Sequence, residues 1–356
     1  MDIRAGTSNL TTAMLVLIAA TLVVAMMWLG ASVFAPLAFG LFIIALAWPM
    51  QERLQAVMPK ALAFVITFAA VVIVLFGFVT LVGWAFGRVG RWMFADAARF
   101  QQLYDQLRVW LEGRGIAVDV LWADNFSVTW ALRTLQNLTG RLNTTFTFWF
   151  VTLVYVLLGL MEVGDMSRRI AGLRNRVTAR VLLEGSKLTS QKLRRYVLVR
   201  TAMSVLTGLL VWLFARAVGL SLAEEWGFIA FVLNYIPFLG PFLATVFPTL
   251  FAATQFDSWG AVLAIFLCFN IIQSVIGSYI EPRVSGSALS MSPIIVLFSV
   301  FFWSYLWGIF GAFIGVPISI AILSFCAQHP SSEWVSQLFG NQPQTRDQVS
   351  GTSPGQ

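Results

Sequence analysis

Two uncharged runs in the last third of the chain constrain the fold more than any other feature. The first, 226–256, has 31 residues, and the second, 294–327, has 34. As straight helices they would measure roughly 46 and 51 Å, whereas the hydrocarbon core of a bilayer is about 30 Å thick. Glycine and proline interrupt the runs at 234–241 and 308–317. We therefore predict two helices broken at membrane depth, where irregular backbone must lie against protein or a water-filled cavity.

Composition is typical of a polytopic membrane protein. Hydrophobic residues make up 58% of the chain and charged residues 11%, against roughly 25% charged residues in an average soluble domain. The net charge of +7 comes from basic residues that lie between apolar segments, where they set membrane topology. We therefore expect no nucleic-acid partner. Cys268 and Cys326 lie singly in apolar segments, which favours buried thiols over a disulfide or a metal site.

The remaining apolar segments predict further membrane spans. No charge occurs between Arg4 and Glu52, and Gly30 with nearby Ser32 and Pro36 divides this run into a helical hairpin of two spans. Three other segments are long enough to cross a bilayer, namely 61–87, 142–161 and 258–280.

A fifth span is expected at 201–215, although it has only 15 residues. It lies between Arg200 and Arg216, whose side chains can extend along the bilayer and place their charges at the interface.

The distribution of Lys and Arg predicts the orientation. Segment 162–200 has ten basic residues and three acidic ones, so it should be cytoplasmic. Counting back places the N-terminus inside and 88–141 outside. If both broken runs cross there are eight spans, and if both are re-entrant there are six. Either case leaves the C-terminus inside, whereas a single crossing run would place it outside.

The segments outside the membrane have their own patterns. Apolar residues at helical spacing in 88–141 predict an amphipathic insert that lies on the bilayer or on a neighbouring subunit, in preference to a ligand-recognition domain. The basic loop should include an interfacial helix against anionic lipid. The expected organisation is a membrane hairpin and third span (1–87), the insert (88–141), the fourth span (142–161), the basic loop (162–200), the region with both broken segments (201–327) and a disordered tail (328–356).

Four motifs in fixed order carry a family resemblance. They are NYIPFLGP at 234–241, Gln273 followed by Glu281-Pro282, LSMSP at 289–293 and WGIFGAFIGVP at 307–317. Together they resemble the AI-2E transporter family over roughly residues 14–327. The resemblance implies a bacterial inner-membrane transporter, with some members linked to autoinducer-2 export and others to exchange of sodium or lithium for protons. The residues before Gly286, Arg283-Val284-Ser285, are less apolar than the family pattern.

Signals of enzyme chemistry are missing from the sequence. The single histidine, His329, ends the last apolar run, where an interfacial position is favoured over a catalytic one. No nucleophile has a base in a recognisable motif, and no glycine-rich loop follows a strand to hold phosphate. We expect no catalytic residues, no cofactor and no bound metal, so transport would be driven by an ion or proton gradient.

Polar groups inside the apolar segments are the candidate pathway. Asn270, Gln273, Gly277 and Glu281 are three, four and four residues apart, which places them on one face of an α-helix. Asn and Gln fit a structural role as well as a solute contact. For Glu281 a functional role is favoured because an ionisable group there is costly, and a structural pair with Arg283 is the rival. The candidate solute or ion pathway comprises Asn234, Pro237, Gly240, Pro241, Asn270, Gln273, Glu281, Gly308, Gly311, Gly315 and Pro317.

The sequence therefore predicts an all-α integral membrane bundle of six to eight segments, with the solute site between the broken segments and the span that separates them. Expected partners are membrane lipid, a small polar solute or a monovalent cation or proton, and further copies of the chain in a homo-oligomer such as a pentamer. Both termini are expected in the cytoplasm. The alternatives are a membrane scaffold and a channel without coupled transport.

Overall fold

The structure is a computed structural model that describes residues 3–95, 128–285, 291–329 and 332–339, with seven further residues between 99 and 114. Across these residues it contains helices and turns and no strand, which confirms the all-α prediction. The helices are α1 Ile3–Leu29, α2 Ala31–Gln55, α3 Lys60–Ala95, α4 Val128–Ala171, α5 Arg176–Ala217, α6 Ala223–Leu233, α7 Leu239–Gln255, α8 Trp259–Ser274, the π-helical segment Val275–Ile280, α9 Glu281–Ser285, α10 Pro293–Cys326 and α11 Glu333–Phe339.

Within the described part of the chain, six helical stretches are long and apolar enough to cross a membrane. This confirms a polytopic membrane fold, because the stretches include the predicted spans at 61–87, 142–161 and 258–280. The six are Ala31–Gln55, Lys60–Met93, Thr145–Ala171, Arg176–Ala217, Trp259–Val284 and Pro293–Cys326.

The N-terminal run divides at Gly30, as predicted, but α1 and α2 are not packed side by side. From Met14 to Leu29, only Val24 and Met27 of α1 are even partly buried. One residue separates the helices, and the amides of Val33 and Phe34 both donate to the carbonyl of Gly30. The expected hairpin is therefore a sharp bend that leaves most of α1 exposed.

The basic segment 162–200 was expected to be a loop that includes one interfacial helix, and the structure shows it as two helix ends joined by a short turn. Helix α4 continues to Ala171, a short turn follows, and α5 begins at Arg176 with the Asn175 side chain accepting hydrogen bonds from Val177 N and Thr178 N. Such an N-cap supplies an acceptor for amides that have no partner within the helix. Since α5 runs on to Ala217, the predicted fifth span is only the second half of one 42-residue helix.

The first broken run forms a helical hairpin, which we name the first hairpin: α6, the connection 234–238 and α7. A Cβ atom on Gly240 would overlap the carbonyl oxygen of Leu233, so the arms touch at their tips. At the other end, the Gln255 side chain donates to Gly219 O at 2.7 Å and accepts from Ser221 N at 2.8 Å. Both ends of the hairpin therefore lie together, as expected of a run that enters and leaves on one side.

The second run, α10, also folds back on itself, and we name it the second hairpin. Only Trp307 (φ −130°, ψ 15°) and Gly308 (φ 64°, ψ −144°) depart from helical geometry. A Cβ on Gly311 would overlap the carbonyl oxygen of Trp303, although eight residues of straight helix would separate the two positions by roughly 12 Å. The predicted interruption at 308–317 is therefore wrong in extent, because residues 309–326 form the second helical arm.

The two hairpins approach from opposite ends of α5. The first begins beside the C-terminal end of α5, where Arg216 pairs with Glu224 at 3.6 Å. The second ends beside the N-terminal half of α5, because a Cβ on Gly185 would lie 2.6 Å from the Phe325 ring. Their apolar surfaces meet in a core cluster that includes Tyr196, Ile236, Ala312, Val316 and Ile320.

Two predicted segments have different outcomes. The middle of the amphipathic insert predicted at 88–141 lies largely outside the described residues, whereas its two ends are helical, since α3 extends to Ala95 and α4 begins at Val128. In the tail that was expected to be disordered, residues Glu333–Phe339 form a short helix. The rest of the tail, 340–356, also lies outside the described residues.

Candidate functional site

The connection of the first hairpin lies against both α5 and the second hairpin. The Tyr235 hydroxyl donates to Thr201 Oγ1 at 2.8 Å, and its ring stacks on Phe313 with centroids 5.3 Å apart. Beside it, the Asn234 side chain is buried and donates from Nδ2 to Ser204 Oγ at 3.3 Å. The broken backbone thus places two polar side chains on one face of α5. There they form hydrogen bonds within the protein, which polar groups need at membrane depth because water is absent.

A buried ion pair lies on the same face of α5. Arg200 Nη1 is 2.5 Å from Glu281 Oε1, and the two side chains are 6% and 17% exposed. This corrects the expectation that Arg200 extends to the membrane interface. Arg283, whose pairing with Glu281 was the rival to a functional role, is exposed. The partner is Arg200 because a buried guanidinium is costly unless a carboxylate and hydrogen bonds compensate its charge.

The predicted polar face 270–281 is wrong. Asn270 donates to Phe266 O of its own helix, and Gly277 is exposed, with open space where a Cβ would lie. The cause is the π-helical segment Val275–Ile280, since its wider turn changes the angle between residues before and after it. Glu281 consequently reaches α5 without sharing a face with Asn270.

Gln273 is buried, and its Nε2 has no hydrogen-bond partner among the described residues. It lies between two contacts that join its span to α5, namely Phe269 on Phe214 and Glu281 on Arg200. Gln273 therefore lies on the part of its span that packs along α5 between Arg200 and Phe214.

The glycines and prolines of the predicted pathway have distinct structural positions. Pro237 lies in the connection of the first hairpin, with Gly240 and Pro241 in the first turn of α7, where proline is favoured because the first amides of a helix have no partner. Gly311 and Gly315 lie between the arms of the second hairpin, and Pro317 lies within the second arm.

Gly308 lies at the tip of the second hairpin, away from the first connection. There Trp307 Nε1 donates to Met27 O at 3.0 Å, and Phe310 stacks on Phe148 with centroids 3.7 Å apart. The second tip thus contacts α1 and α4. The first connection meets the second hairpin at Phe313, on the arm that follows the tip.

One protein family matches most of the chain, including every element of this site. The family model for the AI-2E family transporter covers residues 15–330. The chain belongs to the AI-2E transporter family. This confirms the resemblance that the four motifs carry.

Individual relatives align with shorter parts of the chain. The AI-2 transport protein TqsA of Escherichia coli K12 is 28% identical over 64% of this chain and 65% of its own length. A second relative, from Borreliella burgdorferi, has a provisional name as a transport protein. It is 31% identical over 48% of this chain and 47% of its own length. The chain thus spans less than two thirds of the length of these relatives.

Sequence reasoning missed the part that α5 contributes to this AI-2E family site. Tyr196, Arg200 and Ser204 are buried at intervals of four residues, which places them on one helix face. The signal was present as this spacing. It was hidden because the predicted span began after Arg200, so the polar half of α5 was assigned to a cytoplasmic loop.

Proposed function

We propose that this chain is a gradient-driven transporter that exports a small polar solute, such as autoinducer-2, or exchanges a cation for protons. One observation carries the proposal: the buried Arg200–Glu281 pair lies beside a broken helix, where two hairpins from opposite ends of α5 meet. Solute sites in transporters are commonly built from discontinuous helices near the middle of the membrane. A scaffold gains nothing from this arrangement, because broken helices and buried charges weaken a bundle.

For the topology we propose six crossings, by α1 to α5 and by the α8–α9 span, with both hairpins re-entrant. The Gln255 contacts support this for the first hairpin, since they hold its two ends together. The nine basic residues from Arg168 to Arg195, which exclude the buried Arg200, favour placing that part of the chain in the cytoplasm. Both termini then lie in the cytoplasm, with the chain in the bacterial inner membrane.

The exchange version of the proposal rests on Glu281. A carboxylate that can hold either Arg200 or a mobile cation could couple solute movement to an ion gradient, because the two partners compete for one negative charge. The Arg200 pair is also the structural alternative, since it can hold Glu281 ionised without any role in coupling.

Counterflow in proteoliposomes tests the function. The purified full chain is reconstituted, the vesicles are loaded with unlabelled autoinducer-2 or sodium, and entry of the labelled form is followed with and without a pH gradient. A carrier gives transient accumulation of label above equilibrium. Flux without such an overshoot would identify a channel, and no flux of any solute would support the scaffold.

A further inference from the structure

Tyr196 and Arg200, two buried polar residues of α5, each have a hydrogen-bond donor without a partner among the described residues. Arg200 is 5% exposed, and its Nε has no partner among the described residues, although Nη1 contacts Glu281. Tyr196, one helical turn earlier, is 6% exposed, and its hydroxyl also has no partner there. Buried donors of this kind are rare because each loses its hydrogen bonds to water without replacement.

These two donors belong to one site. Tyr196 and Arg200 are four residues apart in α5, so their side chains lie one helical turn apart on the same face. Tyr196 also belongs to the core cluster that includes Ile236 of the first connection and Ala312 and Val316 of the second hairpin. Tyr196 therefore lies where α5 and both hairpins meet, and Arg200 lies one helical turn away on the same face of α5.

Charge limits the ligand that this site can take. Arg200 and Glu281 form a pair with no net charge, so the site has no excess positive charge to offset the cost of removing an anion from water. An uncharged oxygen can accept from the Arg200 and Tyr196 donors without that cost. A hydroxyl on the same ligand can in turn donate to the Glu281 carboxylate.

We propose that Arg200 Nε and Tyr196 Oη form a solute subsite, which binds an uncharged small molecule through its hydroxyl or carbonyl oxygens. The assignment rests on the proposed transport function for its biological purpose. Binding itself depends only on the two donors and is measurable without transport.

Tyr196→Phe is the decisive variant because it removes only the hydroxyl. That hydroxyl is unpaired in the structure, so a purely structural role predicts an unchanged or higher thermal unfolding midpoint and unchanged binding. Our proposal predicts the same stability together with an affinity about fivefold to tenfold weaker, the loss expected for one hydrogen bond. Arg200→Lys keeps the charge that faces Glu281 and removes the Nε donor, and we expect a similar loss of affinity.

The measurement is ligand-dependent stabilisation of the purified full chain in detergent, with autoinducer-2, ribose and lactate as probes. Tyr305→Phe is the matched control, since Tyr305 is 78% exposed. We expect the two uncharged probes to raise the midpoint of the wild type and of the control, and lactate to leave it unchanged. Equal stabilisation of wild type and Tyr196→Phe would overturn the subsite, and stabilisation by lactate would overturn its preference for uncharged solutes.

Counterflow measured on the same preparations separates this inference from the proposed function. Wild-type stabilisation by autoinducer-2 or ribose that Tyr196→Phe weakens, without counterflow, would support the subsite and reject transport of these solutes. Counterflow that Tyr196→Phe leaves unchanged would keep the transport function and reject the subsite.

Discussion

The guanidinium of Arg88 lies 2.8 Å from the carboxylate of Glu225, whose side chain is 1% exposed. Arg88 lies on α3 and Glu225 in the first turn of α6, so this ion pair ties the start of the first hairpin to the third helix. A negative charge in the first turn of a helix is favoured by the helix dipole. A buried carboxylate nevertheless needs a partner, because its loss of water is otherwise uncompensated.

We therefore expect Arg88→Ala to lower the free energy of unfolding by about 1–3 kcal/mol, the cost of an unsatisfied buried polar group. The double variant Arg88→Ala/Glu225→Gln should be more stable than the single one, because it removes the buried charge together with its partner. Denaturant unfolding in detergent measures the free energy of unfolding of both variants. If the single and double variants lose the same free energy of unfolding, the charges of the Arg88–Glu225 pair do not stabilise the fold.

The glycines at the hairpin contacts predict a second result. Gly240→Ala or Gly311→Ala places a Cβ against the carbonyl of Leu233 or Trp303, so the arms must separate at a cost of about 1–3 kcal/mol, as in overpacked cores. Counterflow should fall while membrane insertion persists. Gly83→Ala is the control, since a Cβ there meets open space within a helix and stabilises it by up to about 1 kcal/mol. Full activity of both hairpin variants would contradict the close packing of the arms.

The exchange hypothesis is that Glu281 alternates between pairing with Arg200 and binding a proton or cation. Glu281→Gln should then remove the pH dependence of transport while the solute still binds. The variant should also be less stable, because the Arg200 charge remains buried without its partner. Arg283→Gln is the control and should change neither property, since Arg283 is exposed. Counterflow across a pH series measures the effect. An unchanged profile for Glu281→Gln would make the ion pair structural and place coupling elsewhere.

Cysteine labelling tests the orientation in a background with Cys268→Ser and Cys326→Ser. Single cysteines at Arg174 and Val57 should resist an impermeant thiol reagent added outside intact cells, and one at Gly113 should react. The reason is that basic segments remain on the cytoplasmic side. Permeabilised cells supply the control, in which all three positions should react. External labelling at Arg174 would reverse the whole topology.

Several elements could be predicted from sequence because their causes are local. Bilayer thickness fixes the length of a span, so the uncharged run 61–87 predicted the helix that the structure places at Lys60–Ala95. The glycine and prolines of 234–241 predicted a break, and the structure ends α6 at Leu233 and begins α7 at Leu239. Proline and glycine act on the backbone of their own segment, whatever the rest of the chain does.

The second hairpin marks the limit of such local reasoning. Its glycines and proline suggested a long irregular segment, but Gly311 and Gly315 are helical and serve the contact between the arms. A glycine that allows a turn and one that allows close packing look alike in the sequence. The difference depends on which backbone lies opposite.

The sequence by itself determined the membrane class, most of the spans and the position of the first break. Tertiary structure alone decided which charges are buried and with what partner. Arg200 and Glu281 are 81 residues apart, and their pairing depends on the antiparallel packing of α5 with the α8 span and on the π-helical turn before Glu281. A charge can remain in a low-dielectric interior only where a distant residue compensates it, and no local pattern specifies that residue.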